Sequence, residues 1–217
     1  VDFDLALIQN RFARPLGQYL FGFLMASQRT AGGNTTYFLG EVSAEGSRLY
    51  FPLMYLTKEP LALHILTLIV LGFAIKKIRR GSGHWYQRIR PWINQNFFEF
   101  SALSFIALYW AVSIITPLNI GVRHVLPTFP FIYLLVSRGI SRWIRDRDYP
   151  NPENWAQWFR NAYQIYIGAI PKYGLAFLLF LWIMLSTLNA YPHFLAYYNE
   201  AVGGSANGHR IAVDSNL

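Results

Sequence analysis

The chain contains no cysteine. Disulfides and thiolate metal centres are therefore excluded, and the redox compartment cannot be read from cysteine usage. Charge is scarce too: 14% of the 217 residues are charged, and only 11 are acidic. There is no glycine-rich phosphate loop, no HExxH and no GxSxG. The familiar signatures of nucleotide binding, zinc proteolysis and serine hydrolysis are thus missing. The opening VDFDLALIQN has neither a basic n-region nor an apolar h-region, so it is not a signal peptide. Together with the closing AVDSNL, it leads us to expect a fragment of a longer protein.

What is present points to lipid. Hydrophobic residues make up 53% of the chain and aromatics 18%, with a mean hydropathy of +0.23. Soluble cores seldom show this mix. The net charge is +8, but the basic residues abut apolar runs. That pattern fits membrane topology, whereas nucleic-acid binding needs a basic face on a polar fold.

Read in order, Arg14 to Ser27 is apolar but too short to cross a hydrocarbon layer of roughly 30 Å, so an interfacial helix is expected. Thr30 to Ser47 reads as a loop and carries the formal sequon Asn34-Thr35-Thr36, a triplet that often arises by chance. Tyr50, Phe51 and Tyr55 suit a belt at headgroup level. Leu61 to Ile75 is the first span, stopped by Lys76-Lys77-Ile78-Arg79-Arg80. Gly81 to Asn96 mixes Arg88 and Arg90 with Trp85, Tyr86 and Trp92, as a membrane-hugging loop would. Phe100 to Thr116 is the second span, closed by Pro117. Val125 to Val136 is a third, short run whose Pro127 and Pro130 predict a kinked or partly unwound helix.

Arg138, Arg142, Arg145 and Arg147 follow, and Asn151-Pro152-Glu153 has the grammar of a helix start. Trp155, Trp158, Phe159, Ala162, Tyr163 and Tyr166 then share one helical face. That face either lies on the membrane or packs on neighbouring protein. Tyr173 to Leu188 is the fourth span. The expected fold is an all-α polytopic membrane protein of about four transmembrane helices with interfacial helices. Residues 1–60 form an external loop with an interfacial helix. Residues 61–188 hold the spans and two basic cytoplasmic loops, and 189–217 form a truncated external segment.

The positive-inside rule places the loops after the first and third runs in the cytoplasm. The opposite side then collects Lys58, Glu59, Arg123, His124, Asn199, Glu200 and Asp214. Arg123 and His124 are the sharpest pair. An arginine fork binds phosphate oxygens, and histidine hydrogen-bonds phosphate or carries a proton. The plainer alternative is that Arg123 pairs with a local carboxylate or snorkels to headgroups. Lys58 and Glu59 read most simply as a local pair or an interface anchor, His64 as a helix–helix hydrogen bond, and Glu99 as an acid at a helix N-terminus. No cofactor motif is evident, and a divalent metal stays open.

Four pieces in order then carry a resemblance: Tyr50-Phe51-Pro52 with Lys58 and Pro60; NIGVRHVLPTFPF from Asn119 to Phe131; Phe194-Leu195-Ala196-Tyr197-Tyr198-Asn199-Glu200 with Gly203-Gly204; and Val213-Asp214-Ser215-Asn216-Leu217. Together they resemble the C-terminal part of bacterial phospholipid-carrier-dependent glycosyltransferases of family 39, the protein-mannosyltransferase-like enzymes of GT-C architecture. The resemblance implies a transferase of the bacterial inner membrane. It would move a sugar from a polyprenyl-phosphate donor to a protein or lipid acceptor on the non-cytoplasmic face.

The family's catalytic acid would precede Val1, so the fragment alone is expected to be inactive. The family pattern also continues into Asp-Trp-Gly-Gln, which is lacking here. By position, Arg123, His124 and Lys58 would sit near the carrier phosphate. Tyr50, Asn199, Glu200 and Asp214 would line the external cavity. Membrane lipids and a larger membrane complex are the other expected partners, and nucleic acid is not. Two further readings stay open: a non-catalytic membrane subunit on the same scaffold, and a transporter or flippase-like protein.

Overall fold

The computed structural model describes residues 12–80, 84–145, 152 and 154–213. The chain is largely helical. Helix α1 covers Arg14–Gly32, and a hairpin of β1 (Thr36–Phe38) and β2 (Glu41–Ser43) follows. Helix α2 is Tyr50–Lys58, α3 is Leu61–Arg80, α4 is Trp85–Gln95 and α5 is Phe97–Ile115. Two 3-10 turns, Val122–His124 and Leu126–Thr128, lead into α6, Phe129–Arg145. Helix α7 is Trp155–Tyr166 and α8 is Ile170–Asn189. Short 3-10 turns then run to β3, Ala212–Val213.

Helices α3, α5 and α8 are each long and apolar enough to cross a membrane. Each starts where its sequence allows. Pro60 directly precedes α3, Pro171 stands in the first turn of α8, and Glu99 stands in the first turn of α5. Their outward faces stay bare. Leu68, Leu71, Leu108, Val112, Phe177 and Leu178 are all exposed. An apolar surface of this extent supports membrane insertion. Four spans were expected, but only three helices meet the length and apolarity of a span among the described residues. Helix α6 differs because its second half carries Arg138, Arg142 and Arg145.

Helix α6 packs against α3, α5 and α8. It runs parallel to α3: Tyr133 meets Glu59 at one end, and Gly139 meets Val70 further along. At the far end, Arg138 and Arg142 reach Glu99 at 2.9 and 2.7 Å, and Lys172 donates to the Trp143 carbonyl. The Lys76–Arg80 cluster and Arg123 therefore lie at opposite ends of a bundle whose twenty-residue helix α3 rises roughly 30 Å. Pro127 sits in a 3-10 turn and Pro130 is the second residue of α6, so both prolines stand where a missing N–H costs little.

The end that holds Arg123 is capped by a small mixed layer. Tyr50, Phe51, Met54, Val125 and Phe129 form its core with Tyr198 and Ala212. Tyr50 and Phe51 are fully buried, which corrects their expected place in a headgroup belt. The stretch from Thr30 to Ser47, expected as a loop, holds the hairpin instead. Its two-residue turn, Leu39-Gly40, has positive φ at both positions (52° and 93°), the geometry that tight hairpins prefer. Strand β3 pairs antiparallel with β1, giving the order β2-β1-β3.

Two further expectations change. Residues 81–96, read as a loop, contain α4 with Pro91 inside it. The cap of α7 is Asn154, whose side chain accepts from the Gln157 amide. Asn151 and Glu153, expected to start that helix, lie outside the described residues, as does Arg147. Trp155, Trp158, Phe159, Tyr163 and Tyr166 are all exposed, so this face is largely uncovered by the described residues.

The approach of α3 and α6 depends on Gly139. A Cβ there would sit 2.4 Å from Val70 Cγ1 and 2.7 Å from Cγ2, and a valine in a helix has one favoured rotamer. Gly139→Ala is expected to lower stability by about 1–3 kcal/mol. Gly72→Ala, with nothing within 4 Å of the added carbon, should be neutral or mildly stabilising. Thermal melts of the two variants in detergent check the difference.

Candidate functional site

The site begins at the break between α2 and α3. Pro60 disfavours helical backbone at the residue before it, and Glu59 is accordingly extended (φ −93°, ψ 147°). This ends α2 and leaves its last carbonyls without helical partners. Asn199 supplies the partners. Its side-chain amide donates to the Leu56 carbonyl (2.7 Å) and the Glu59 carbonyl (2.8 Å). Its backbone amide donates to the Thr57 carbonyl at 2.8 Å. Asn199 is completely buried.

The break also sends two neighbouring side chains apart. Lys58 turns toward the segment after α8. Its ammonium donates to the Leu195 carbonyl at 2.6 Å and lies 4.4 Å from the centre of the Tyr198 ring. Glu59 turns the other way and accepts from the Tyr133 hydroxyl at 3.0 and 3.2 Å. The expected Lys58–Glu59 pair is not formed. Glu59 is only 6% exposed. Burial pushes its carboxyl up to about 7, although the Tyr133 hydrogen bond pulls the other way. Burial and the nearby Glu59 charge raise the Tyr55 phenol to about 12.

Glu59 and Tyr133 stand at one end of a groove of about 650 Å³ between α3, α6 and α8. Leu63, Leu66, Val136, Ile140, Phe180 and Ile183 form much of its wall. Ser186, Thr187 and Tyr197 join Glu59 and Tyr133 at the polar end. The Tyr197 hydroxyl is buried at this end, next to Ser186. Behind Ser186 lies Glu200, which accepts from Ser186 Oγ (3.0 Å) and Trp182 Nε1 (3.1 Å). Burial alone would raise the Glu200 carboxyl, but its own backbone amide, Trp182 and Ser186 bring it below the usual range.

The other residues singled out from sequence take varied places. Arg123 is exposed, and its Nε donates to the Ile120 carbonyl at 3.0 Å. Among the described residues no carboxylate pairs with it. His124 is half-buried, 5.2 Å from the Phe51 ring and 6.0 Å from the Tyr109 ring. Burial lowers its pKa, favouring the neutral imidazole. Tyr50 is a core residue and does not line the groove. Asn199 acts as a cap, and Asp214 lies outside the described residues. His64 Nε2 lies 3.1 Å from the Leu56 carbonyl, a hydrogen bond as expected, made to α2.

The structure thus gathers Lys58, Glu59, Asn199 and Glu200 around one junction and leaves Arg123 and His124 in the turn ahead of α6. It adds Tyr133, Ser186 and Tyr197, which sequence reasoning missed. The sole signal for Tyr133 was a hydroxyl in an apolar run, and its partner is 74 positions away. Among the described residues no group of three or more His, Asp or Glu is placed to hold a metal. Comparison with family models, curated proteins and solved structures gives no match to this chain.

Two outcomes are expected. Asn199→Ala removes both side-chain caps; the Leu56 carbonyl keeps His64 Nε2 at 3.1 Å, but the Glu59 carbonyl loses its donor at a cost of about 1–3 kcal/mol, and unfolding in denaturing detergent should register the loss. The second concerns Glu59. Its folded pKa is raised from 4.5 to about 7, so between those values the folded state holds more protons than the unfolded state. Its stabilising contribution is complete below the lower value and lost as pH rises through the higher one. The swing is about 3 kcal/mol. Glu59→Gln should flatten that slope in melts taken across the same range.

Proposed function

We propose that the chain is the membrane part of a glycosyltransferase that takes its sugar from a polyprenyl-phosphate carrier on the non-cytoplasmic face. The observation that carries this reading is the state of Arg123. Its Nε is held by the Ile120 carbonyl, and among the described residues its two terminal nitrogens make no hydrogen bond. A pinned guanidinium with a free fork, exposed at one end of an apolar bundle, suits a phosphate at the membrane surface. In such a reaction the lipid phosphate is the leaving group, and a fixed cation stabilises the charge that develops on it.

The four sequence pieces support the same reading. Three of them meet at this end of the bundle: the Tyr50–Pro60 piece, the turn from Asn119 and the segment around Asn199. Neutral His124 beside Arg123 would serve as a hydrogen-bonding neighbour to the phosphate. Lys58 is proposed in a supporting role only, because its ammonium already serves the Leu195 carbonyl. The catalytic acid is proposed to lie in a part of the parent protein ahead of Val1.

One observation favours the alternative of a non-catalytic subunit: the bare aromatic face of α7, which is free to meet another chain. Transfer by the complete gene product decides between the two. With a polyprenyl-phosphate sugar as donor, Arg123→Ala is expected to cut transfer by about 100-fold with little change in melting temperature. Unchanged transfer would remove Arg123 from the role. The absence of native cysteine also permits a clean topology test. Single cysteines at Ile120 and Ile78 should react with an impermeant maleimide from opposite sides of the membrane.

A further inference from the structure

We propose that the groove between α3, α6 and α8 binds a membrane amphiphile whose head group is a primary ammonium, with the ammonium donating to Glu59 and the hydrocarbon chain lying along Leu63, Val136 and Ile183. Apart from Ser137 the groove's walls are apolar, and its other polar residues collect at one end. That asymmetry matches a molecule with one greasy tail and one small head. The sign of the head follows from charge. No lysine, arginine or histidine is among the residues lining the groove. Its ionisable groups are the Glu59 carboxyl and the Tyr133 and Tyr197 phenols.

Glu59 is buried and, among the described residues, has no ion-pair partner. The adjacent Lys58, the obvious neutralising group, is drawn away to the Leu195 carbonyl and the Tyr198 ring. From α2 the phenol of Tyr55 faces the carboxyl, and from α6 the phenol of Tyr133 does. From the segment after α8 come Tyr197 and, behind Ser186, a second acid, Glu200. Every charge these groups can add is negative. A phosphate head would meet one or two carboxylates and no cation. An ammonium would meet a carboxylate that lacks one, together with hydroxyl acceptors at Ser186 and Tyr197. The site is separate from Arg123, so it stands whether or not the chain transfers a sugar.

The test uses three probes of equal chain length, dodecylammonium, dodecanol and dodecyl phosphate, titrated calorimetrically into the complete protein in a nonionic detergent. Ser137→Trp, which fills the groove wall, separates site binding from partition into micelles. At about pH 8 the ammonium should bind about tenfold or more tighter than the alcohol, and the phosphate weakest. Glu59→Gln should bring the ammonium to the level of the alcohol, while Tyr133→Phe, which keeps the charge, preserves the preference.

An alkyl ammonium, like lysine, stays charged to about pH 10. The advantage should therefore shrink at about pH 6, as Glu59 takes up a proton below its value of about 7. Any other ranking of the three probes, or an ammonium affinity unmoved by Glu59→Gln or by Ser137→Trp, overturns the proposal.

Discussion

The end of this molecule that holds Arg123 hangs on one buried amide. Asn199 terminates α2 by taking its last carbonyls, and it does so from a segment that follows the final long helix. Because Pro60 breaks the helix there, the Thr57 and Glu59 carbonyls would otherwise lack the donors that Asn199 supplies. Pro60 sets where α3 begins and turns Lys58 and Glu59 apart, and Asn199 satisfies the break. The divergence of those two neighbours then decides the chemistry on each side. A cation packs against Tyr198 and a carboxyl faces the groove.

Helix α6 links the two ends. Near its start, Tyr133 holds Glu59. Past its middle, Gly139 lets it lie close to Val70. In its second half, Arg138 and Arg142 share Glu99 on α5. Val136 and Ile140 of α6 pack with apolar side chains from α3 and α8. The exposed flanks of the three long helices complete the division: polar chemistry at both ends and bare hydrocarbon between.

Much of this was legible in the sequence, for a physical reason. Long apolar runs bounded by proline and by basic clusters leave few alternatives, and α3, α5 and α8 appear within a few residues of their expected positions. The gathering of ionisable residues at one end followed from the order of those runs. What could not be read was the use each residue is put to. Asn199 reads as a cavity-lining polar group but is a cap, because a helix end distant in sequence needs donors. Tyr50 and Phe51 read as belt aromatics but fill a core that needs β3 to close it. The Lys58–Glu59 pair fails because an extended residue before proline turns consecutive side chains apart. The hairpin was hidden because its strands are three residues each, too short to show alternation.

The pairing of β1 with β3 bears on how the chain is made. Phe38 and Tyr37 face Ala212 and Val213, across every helix that lies between. In a chain made from its N-terminus, the second edge of β1 has no partner strand until the residues beyond α8 follow. Only when the stretch beyond α8 emerges can the strand be completed, Asn199 be seated and the end layer close. Closure of that layer therefore waits on the segment that follows the last long helix.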